Sequence, residues 1–186
     1  IALFFYEIYQ ELGNTEYLEH ANGAMTWLLS QAFVDDDKAK WPDKPGSGYY
    51  PTLPFAGLYP VCAEPSVCNL LSVAYSVTGD SAYLHYARKH ANWVISQAVP
   101  EGGGYKFPYA EGVSSYDAYQ NARVYNFLSL MYDMTGKDSY SEYANGALTW
   151  IVYNAEETDG GYKWRILPYY PYYPTWFPGA AGIGYY

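Results

Sequence analysis

Apolar positions recur along this chain at helical spacing, and the recurrence itself repeats. Ile1, Phe5, Ile8 and Leu12 fall on one face of a helix. Val67, Leu71, Ala74 and Thr78 fall in the same pattern, as do Val124, Leu128, Met131 and Thr135. A glycine closes each stretch, at Gly13, Gly79 and Gly136, and is expected to take the positive φ that ends many helices. Asn14, Asp80 and Lys137 follow, and Thr15, Ser81 or Asp138-Ser139 are expected to cap a second helix. That helix carries a stripe of Tyr17, Ala21, Ala24, Leu28 and Ala32, whose small members predict close approach by a neighbour. Each unit therefore reads as helix, short turn, helix and long loop. The loops occupy 42–60, 100–115 and 158–178, where Gly, Pro and Tyr collect.

Residues 13–32, 79–98 and 136–155 align without a gap. Tyr17, Tyr83 and Tyr140 coincide, as do Ala21, Ala87 and Ala144, and Trp27, Trp93 and Trp150. Lys40-Trp41, Lys106-Phe107 and Lys163-Trp164 continue the register downstream. Upstream, Ile1, Val67 and Val124 coincide, and Ile183 is the next member. The chain is thus three copies of one two-helix unit of about sixty residues and the start of a fourth, a helical repeat domain. The repeats run over about 1–59, 60–116, 117–175 and, in part, 176–186. Asn22-Gly23 returns as Asn145-Gly146. Glycine within a helix costs about 1 kcal/mol relative to alanine, so its return points to close packing there.

Composition narrows the function. No apolar run in the 186 residues is long enough to span a bilayer. A net charge of −9 argues against nucleic acid and anionic membranes as partners, since both call for a basic surface. The 25 Tyr and 6 Trp against 10 Lys plus Arg suit wet contact surfaces or a glycan. Cys62 and Cys68 are expected to be two free buried thiols. His20, His85 and His90 all fall in second helices, and His85 and His90 do not share a face, so no metal site is expected from them. Gly102, Gly103 and Gly104 lack a following Gly-Lys-Ser/Thr and read as a turn.

Residues 179–184, Gly-Ala-Ala-Gly-Ile-Gly, follow Trp176. With Thr-Gly-Asp-x-x-Tyr-Leu at 78–84, Trp93 and Gly-Tyr-Lys-Phe-Pro at 104–108, this pattern resembles the lanthionine synthetase C-like proteins. The resemblance covers nearly the whole chain and implies an all-α fold, an (α/α) toroid of helical hairpins around a central pocket. It also implies, for cyclase members, zinc held by two cysteines and a histidine. Phe177 stands where a family cysteine follows the Trp, and no Cys-His pair occurs, so the zinc site is not carried over and no cofactor is expected.

These readings lead to three expected functions. Ile1 aligns with Ile183, and the Gly179–Gly182 stretch that precedes Ile183 has no counterpart before Ile1. The first expectation is therefore a non-catalytic structural protein that assembles head to tail into a filament or tube, a homo-oligomer through Ile1, Phe4, Phe5, Gly179, Gly182, Ile183, Tyr185 and Tyr186. The second is a fragment of a lanthionine synthetase C-like enzyme whose zinc ligands lie outside this chain. The third is a glycan-binding or glycoside-hydrolysing toroid. There, Glu64, Glu111 and Asp117 supply carboxylates and Tyr59, Tyr116, Tyr119 and Trp176 stack on sugar.

Overall fold

A computed structural model of the chain describes residues 1–41, 67–114, 116–159 and 161–164, with only the backbone of Cys68. Each repeat contributes two helices and a two-stranded antiparallel hairpin. The first has α1 (Ala2–Leu12), α2 (Thr15–Ser30), β1 (Phe33–Asp35) and β2 (Lys38–Lys40). The second has α3 (Val67–Thr78), α4 (Ser81–Ser96), β3 (Val99–Glu101) and β4 (Gly104–Lys106). The third has α5 (Ala118–Thr135), α6 (Asp138–Tyr153), β5 (Glu156–Thr158) and β6 (Gly161–Lys163). The chain divides within α4 into two compact units, one reaching Trp93 and one starting, in the main, at Val94. Among the described residues, no helix is long and apolar enough to cross a membrane.

The helix stops follow the sequence. Gly13, Gly79 and Gly136 have φ of 68°, 69° and 66°, a left-handed conformation that costs glycine little. The starts are corrected by one residue. Asn14 accepts the Glu16 N–H at 3.0 Å, and Asp80 accepts the Ala82 N–H at 2.9 Å, so these side chains cap α2 and α4 rather than Thr15 and Ser81. Lys137 precedes α6 and makes no side-chain cap there. Asp80→Ala is expected to lower stability by about 1 kcal/mol, read as an earlier urea midpoint at unchanged slope. An unmoved midpoint would remove the cap from this account.

In the first unit the core holds Tyr6, Ala21, Met25, Leu71, Ala74, Tyr83 and Ala87. The buried Tyr6 hydroxyl donates to Asn22 Oδ1 at 3.0 Å. Burial first, and then Tyr83 beside it, push the Tyr6 pKa up, so the phenol stays a donor. In the second unit Val124, Phe127, Leu128 and Met131 of α5 are fully buried, as are Tyr140, Ala144, Ala147, Trp150 and Ile151 of α6 or nearly so. Each large side chain removed from water there contributes about 1.5–3 kcal/mol.

The segment after each second helix departs from the expected loop, because its start is a β-hairpin. Val99 pairs with Lys106 and Glu101 with Gly104, leaving Gly102-Gly103 as a two-residue turn with φ of 63° and 79°. Two positive φ values match the turn to strand twist, so the glycines do form the predicted turn. Strands of three residues are too short for alternation to register in sequence. The Trp after the first and third hairpins ties each to its own repeat: Trp41 Nε1 donates to Leu28 O and Trp164 Nε1 to Ile151 O, both at 2.8 Å.

The hairpin also packs on the second helix of the next repeat. In the first unit, Trp41 meets His90 edge-on at 5.3 Å and Tyr86 at 6.2 Å. His90 Nδ1 bonds to Ala39 O at 2.9 Å, Lys89 donates to Asp36 O, and Asn92 donates to Asp37 O at 3.1 Å. In the second unit, β4 packs on α6, where the Tyr105 ring covers Gly146 and stacks on Tyr143 at 4.6 Å. The two contacts differ: Ala39 faces His90, whereas its counterpart Tyr105 covers Gly146, the counterpart of Lys89.

Candidate functional site

The start of α5 brings together three of the sequence-predicted residues, Tyr116, Asp117 and Tyr119. Asp117 is extended, with φ −138° and ψ 158°, and its Oδ1 accepts the Gln120 N–H at 2.6 Å, making it the N-cap of α5. Asn121, one turn on, is fully buried and fastens this start to the strand before it. Its Oδ1 accepts the Phe107 N–H at 3.0 Å, and its Nδ2 donates to Asp117 O at 2.8 Å and Phe107 O at 3.4 Å. The Asp117 backbone is therefore held from two directions before any ligand arrives.

Burial dominates the electrostatics of Asp117. Loss of water around its carboxyl raises the pKa to about 6, against the Gln120 N–H and the charge of Arg123, which both lower it. Arg123 sits 5.6 Å from the Tyr119 ring centroid, and both are largely buried.

Glu101 has the opposite character. It accepts Lys106 Nζ at 2.6 Å and Trp150 Nε1 at 2.5 Å, and these bonds hold its pKa below the usual carboxylate range. Lys106 in turn lies 4.4 Å from the centroid of the Tyr116 ring. Tyr116 packs with Trp164 against a buried cluster of Ala118, Ala122, Trp150 and Ile151. An ionised carboxylate, an ammonium and a ring thus form a chain that fixes Tyr116, the residue next to Asp117.

Of the sequence-predicted residues, Asp117, Tyr116 and Tyr119 come together here. Glu111 lies half-buried between β4 and α5. Glu64, Tyr59, Trp176, Gly179, Gly182, Ile183, Tyr185, Tyr186 and Cys62 fall outside the described residues, so the pairing of chain ends is not tested. Ile1 and Phe4 are exposed, while Phe5 is half-buried and stacks near Tyr17 at 6.3 Å. His90 is buried and hydrogen-bonded, and among the described residues no three His, Cys, Asp or Glu stand close enough to hold a metal.

Sequence reasoning missed Glu101, Lys106 and Arg123. The recurrence of Lys40, Lys106 and Lys163 was a signal for the second. In the repeat register Glu101 aligns with Asp35 and Thr158, and nothing in that set marked it.

No protein-family model matches the chain, and no curated protein matches it. Solved structures do. The Lin0763 protein of Listeria innocua superposes with a TM-score of 0.61 at 19% identity, over 87% of this chain and 46% of its own. The fold is of the (α/α) toroid type. The glycoside hydrolase family 76 mannosidase Bt3792 of Bacteroides thetaiotaomicron gives 0.57 at 14% identity, over 81% of this chain and 41% of its own. The family 76 α-mannanase BT2949 of the same species gives 0.58 at 20% identity, over 79% and 40%. This chain spans less than half the length of each. These neighbours share the toroid that the lanthionine synthetase C-like resemblance implied, and none of the three is described as a lanthionine synthetase.

Proposed function

We propose that this chain forms part or all of a glycoside-hydrolysing (α/α) toroid acting on mannose-containing glycans. The observation that carries this reading is the Asp117 carboxyl, preset at the start of α5 and held near pKa 6 by burial. A general acid needs a carboxyl that keeps its proton close to the working pH, and burial is the usual means. Toroid neighbours described as a mannosidase and an α-mannanase supply the substrate class. In this reading Asp117 protonates the glycosidic oxygen as the bond to the sugar breaks. Tyr116, fixed by Lys106, offers its ring to a sugar face, whereas Tyr119 is buried beside Arg123 and does not. The second carboxylate that such a reaction needs is Glu111 or Glu64.

The test separates binding from chemistry. Asp117→Asn keeps an acceptor for the α5 cap and removes the acid. Turnover of α-mannan oligosaccharides is expected to fall by about 10²–10⁴ while substrate affinity changes little. Equal turnover by the variant would remove Asp117 from the reaction, and no binding or turnover of any glycan by the folded wild-type chain would remove the reading itself.

A further inference from the structure

Among the described residues, polar side chains are buried most densely at the start of α5, where Asp117, Gln120, Asn121 and Arg123 lie within two turns. Apolar residues would pack a helix start without the desolvation that polar groups require, so this concentration marks a built site. Asn121 is fully buried, and its side chain reaches out of the helix. Its Oδ1 accepts the Phe107 N–H and its Nδ2 donates to Phe107 O, so one amide pairs with both backbone groups of one residue. A neighbouring strand would offer Phe107 the same two groups. Nδ2 also donates to Asp117 O, which accepts the Asn121 backbone N–H at 3.2 Å as well. A carboxylate, a hydroxyl or an alkyl chain at this position could not make all three side-chain bonds.

The other two hairpins are fastened differently. At the place of Phe107, Trp41 and Trp164 donate their ring N–H groups to Leu28 O and Ile151 O, near the ends of α2 and α6 in their own repeats. Phe107 has no ring N–H and cannot make that bond. The end of the second hairpin is bound instead to the start of α5. The exchange keeps the hairpin fastened and changes what it holds. Consecutive residues at the end of β4 now support the site: Lys106 lies over the Tyr116 ring, and Phe107 is paired with Asn121 behind Asp117. A purely structural fastening would require neither the change of residue at 107 nor a partner beside Asp117.

We propose that Asn121 is a positioning residue for the Asp117 carboxyl: by locking Phe107 to the first turn of α5, it holds the acid and the Lys106-held ring of Tyr116 at one spacing and keeps water from the carboxyl. This role rests on the reading of Asp117 as the acid of a glycoside hydrolase and extends it to a residue that touches no sugar. A group held in its reacting geometry beforehand raises the rate, and a displacement of about 1 Å can cost about a hundredfold. Asn121→Ala removes the three side-chain bonds, frees the Phe107 backbone and opens the α5 start to water. The charged groups of the site are left as they are: Arg123 on α5, Glu101 and Lys106 on the hairpin, and Glu111 between them. Tyr116 also keeps its Lys106 partner.

The first test needs no substrate and follows the NMR shift of the Asp117 carboxyl carbon against pH in the full chain. Wild type is expected to titrate at about 6, and Asn121→Ala lower, towards the ordinary 3.8, because water restored to the carboxyl favours its charged form. The second test is turnover of α-mannan oligosaccharides. There, kcat of Asn121→Ala is expected to fall about 10–100-fold with KM little changed, and the acid limb moves to lower pH with the titration. A change that merely loosened the fold would lower the active fraction and leave the limb where it was. Circular dichroism verifies that the variant folds. If it does not, wild type alone decides. Both Asn121 Nδ2 protons are expected to exchange with water at least about a hundredfold more slowly than those of the exposed Asn14. The same carboxyl titration in both chains, or an Asn121 amide that exchanges as fast as that of Asn14, overturns the proposal. A wild-type chain that cleaves no glycan removes the glycoside-hydrolase reading instead, and the titration still decides whether Asn121 positions Asp117.

Discussion

Gly146→Ala is expected to destabilise the chain by about 1–3 kcal/mol, while Gly23→Ala stabilises it by about 0.5–1 kcal/mol. The opposite signs come from one local sequence in two settings, Ala-Asn-Gly-Ala at 21–24 and at 144–147. Alanine improves on glycine in both helices, because it restricts the unfolded chain and leaves less backbone bare. At Gly23 that gain is unopposed, since nothing lies within 4 Å of the new methyl. At Gly146 the methyl meets Cδ2, Cε2 and Cγ of Tyr105, which are ring atoms near the root of the side chain. The ring is pinned against Tyr143 at 4.6 Å and cannot turn aside without giving up that stack. The hairpin must shift, and the Gly104 backbone against α6 leaves it little room. Urea midpoints of the two variants in dilute protein test this directly. Two stabilised variants would mean that the hairpin does not sit on α6 as described.

The second large effect is acid destabilisation through His90. The imidazole lies between the edge of Trp41 and the face of Trp93, at 5.3 and 5.4 Å, with Nδ1 on Ala39 O. A carbonyl only accepts, so Nδ1 carries a proton, and burial favours the neutral form of the ring. Burial lowers its pKa from 6.5 to about 4, the Ala39 bond opposing only in part. The folded value lies below the unfolded one, so the fold prefers the neutral ring. That stability is complete above about pH 6.5 and is lost as the pH falls towards 4, amounting to roughly 3 kcal/mol. Asp117 works in the other direction. Its folded pKa is raised to about 6 from 3.8, so its share is present below 3.8 and lost as the pH rises through 6. Subtracting His90→Phe from wild type isolates the histidine. The stability difference is expected to shift by roughly 3 kcal/mol against wild type between pH 7 and pH 4. A constant difference would show that the ring is not buried as a neutral group.

Much of the fold was legible in the residues because helix stops and apolar stripes are local properties. Gly13, Gly79 and Gly136 mark their turns in any context, and Leu71, Val124, Leu128 and Met131 are buried where their spacing places them. The caps were read one residue late because Asn14 and Thr15, or Asp80 and Ser81, are adjacent residues that can all cap. The hairpins escaped because three-residue strands carry too little alternation. Their docking escaped for another reason. Ala39 with His90 and Tyr105 with Gly146 read as unrelated differences between repeats until the contact that links them is seen. The recurrence of Asn-Gly was read as close packing at both sites; that holds at Gly146 under Tyr105, while at Gly23 an added Cβ meets nothing within 4 Å.

The candidate site divides in the same way. Asp117 stood out as a carboxylate entering a helix, and Tyr116 and Tyr119 as its aromatic neighbours. Its burial was invisible, because it arises from Asn121 tying the α5 start to Phe107, a contact set by tertiary placement. Glu101 and Lys106 were likewise hidden, since their partners Trp150 and Tyr116 are brought to them only by the fold.

The pH dependence of kcat/KM for α-mannan oligosaccharides tests the central claim most directly. With Asp117 as the acid, the rate is expected to fall as the pH rises through about 6, and Asp117→Asn loses both the rate and that limb. A wild-type chain that releases no sugar at any pH, or whose rate passes through pH 6 unchanged, would contradict it.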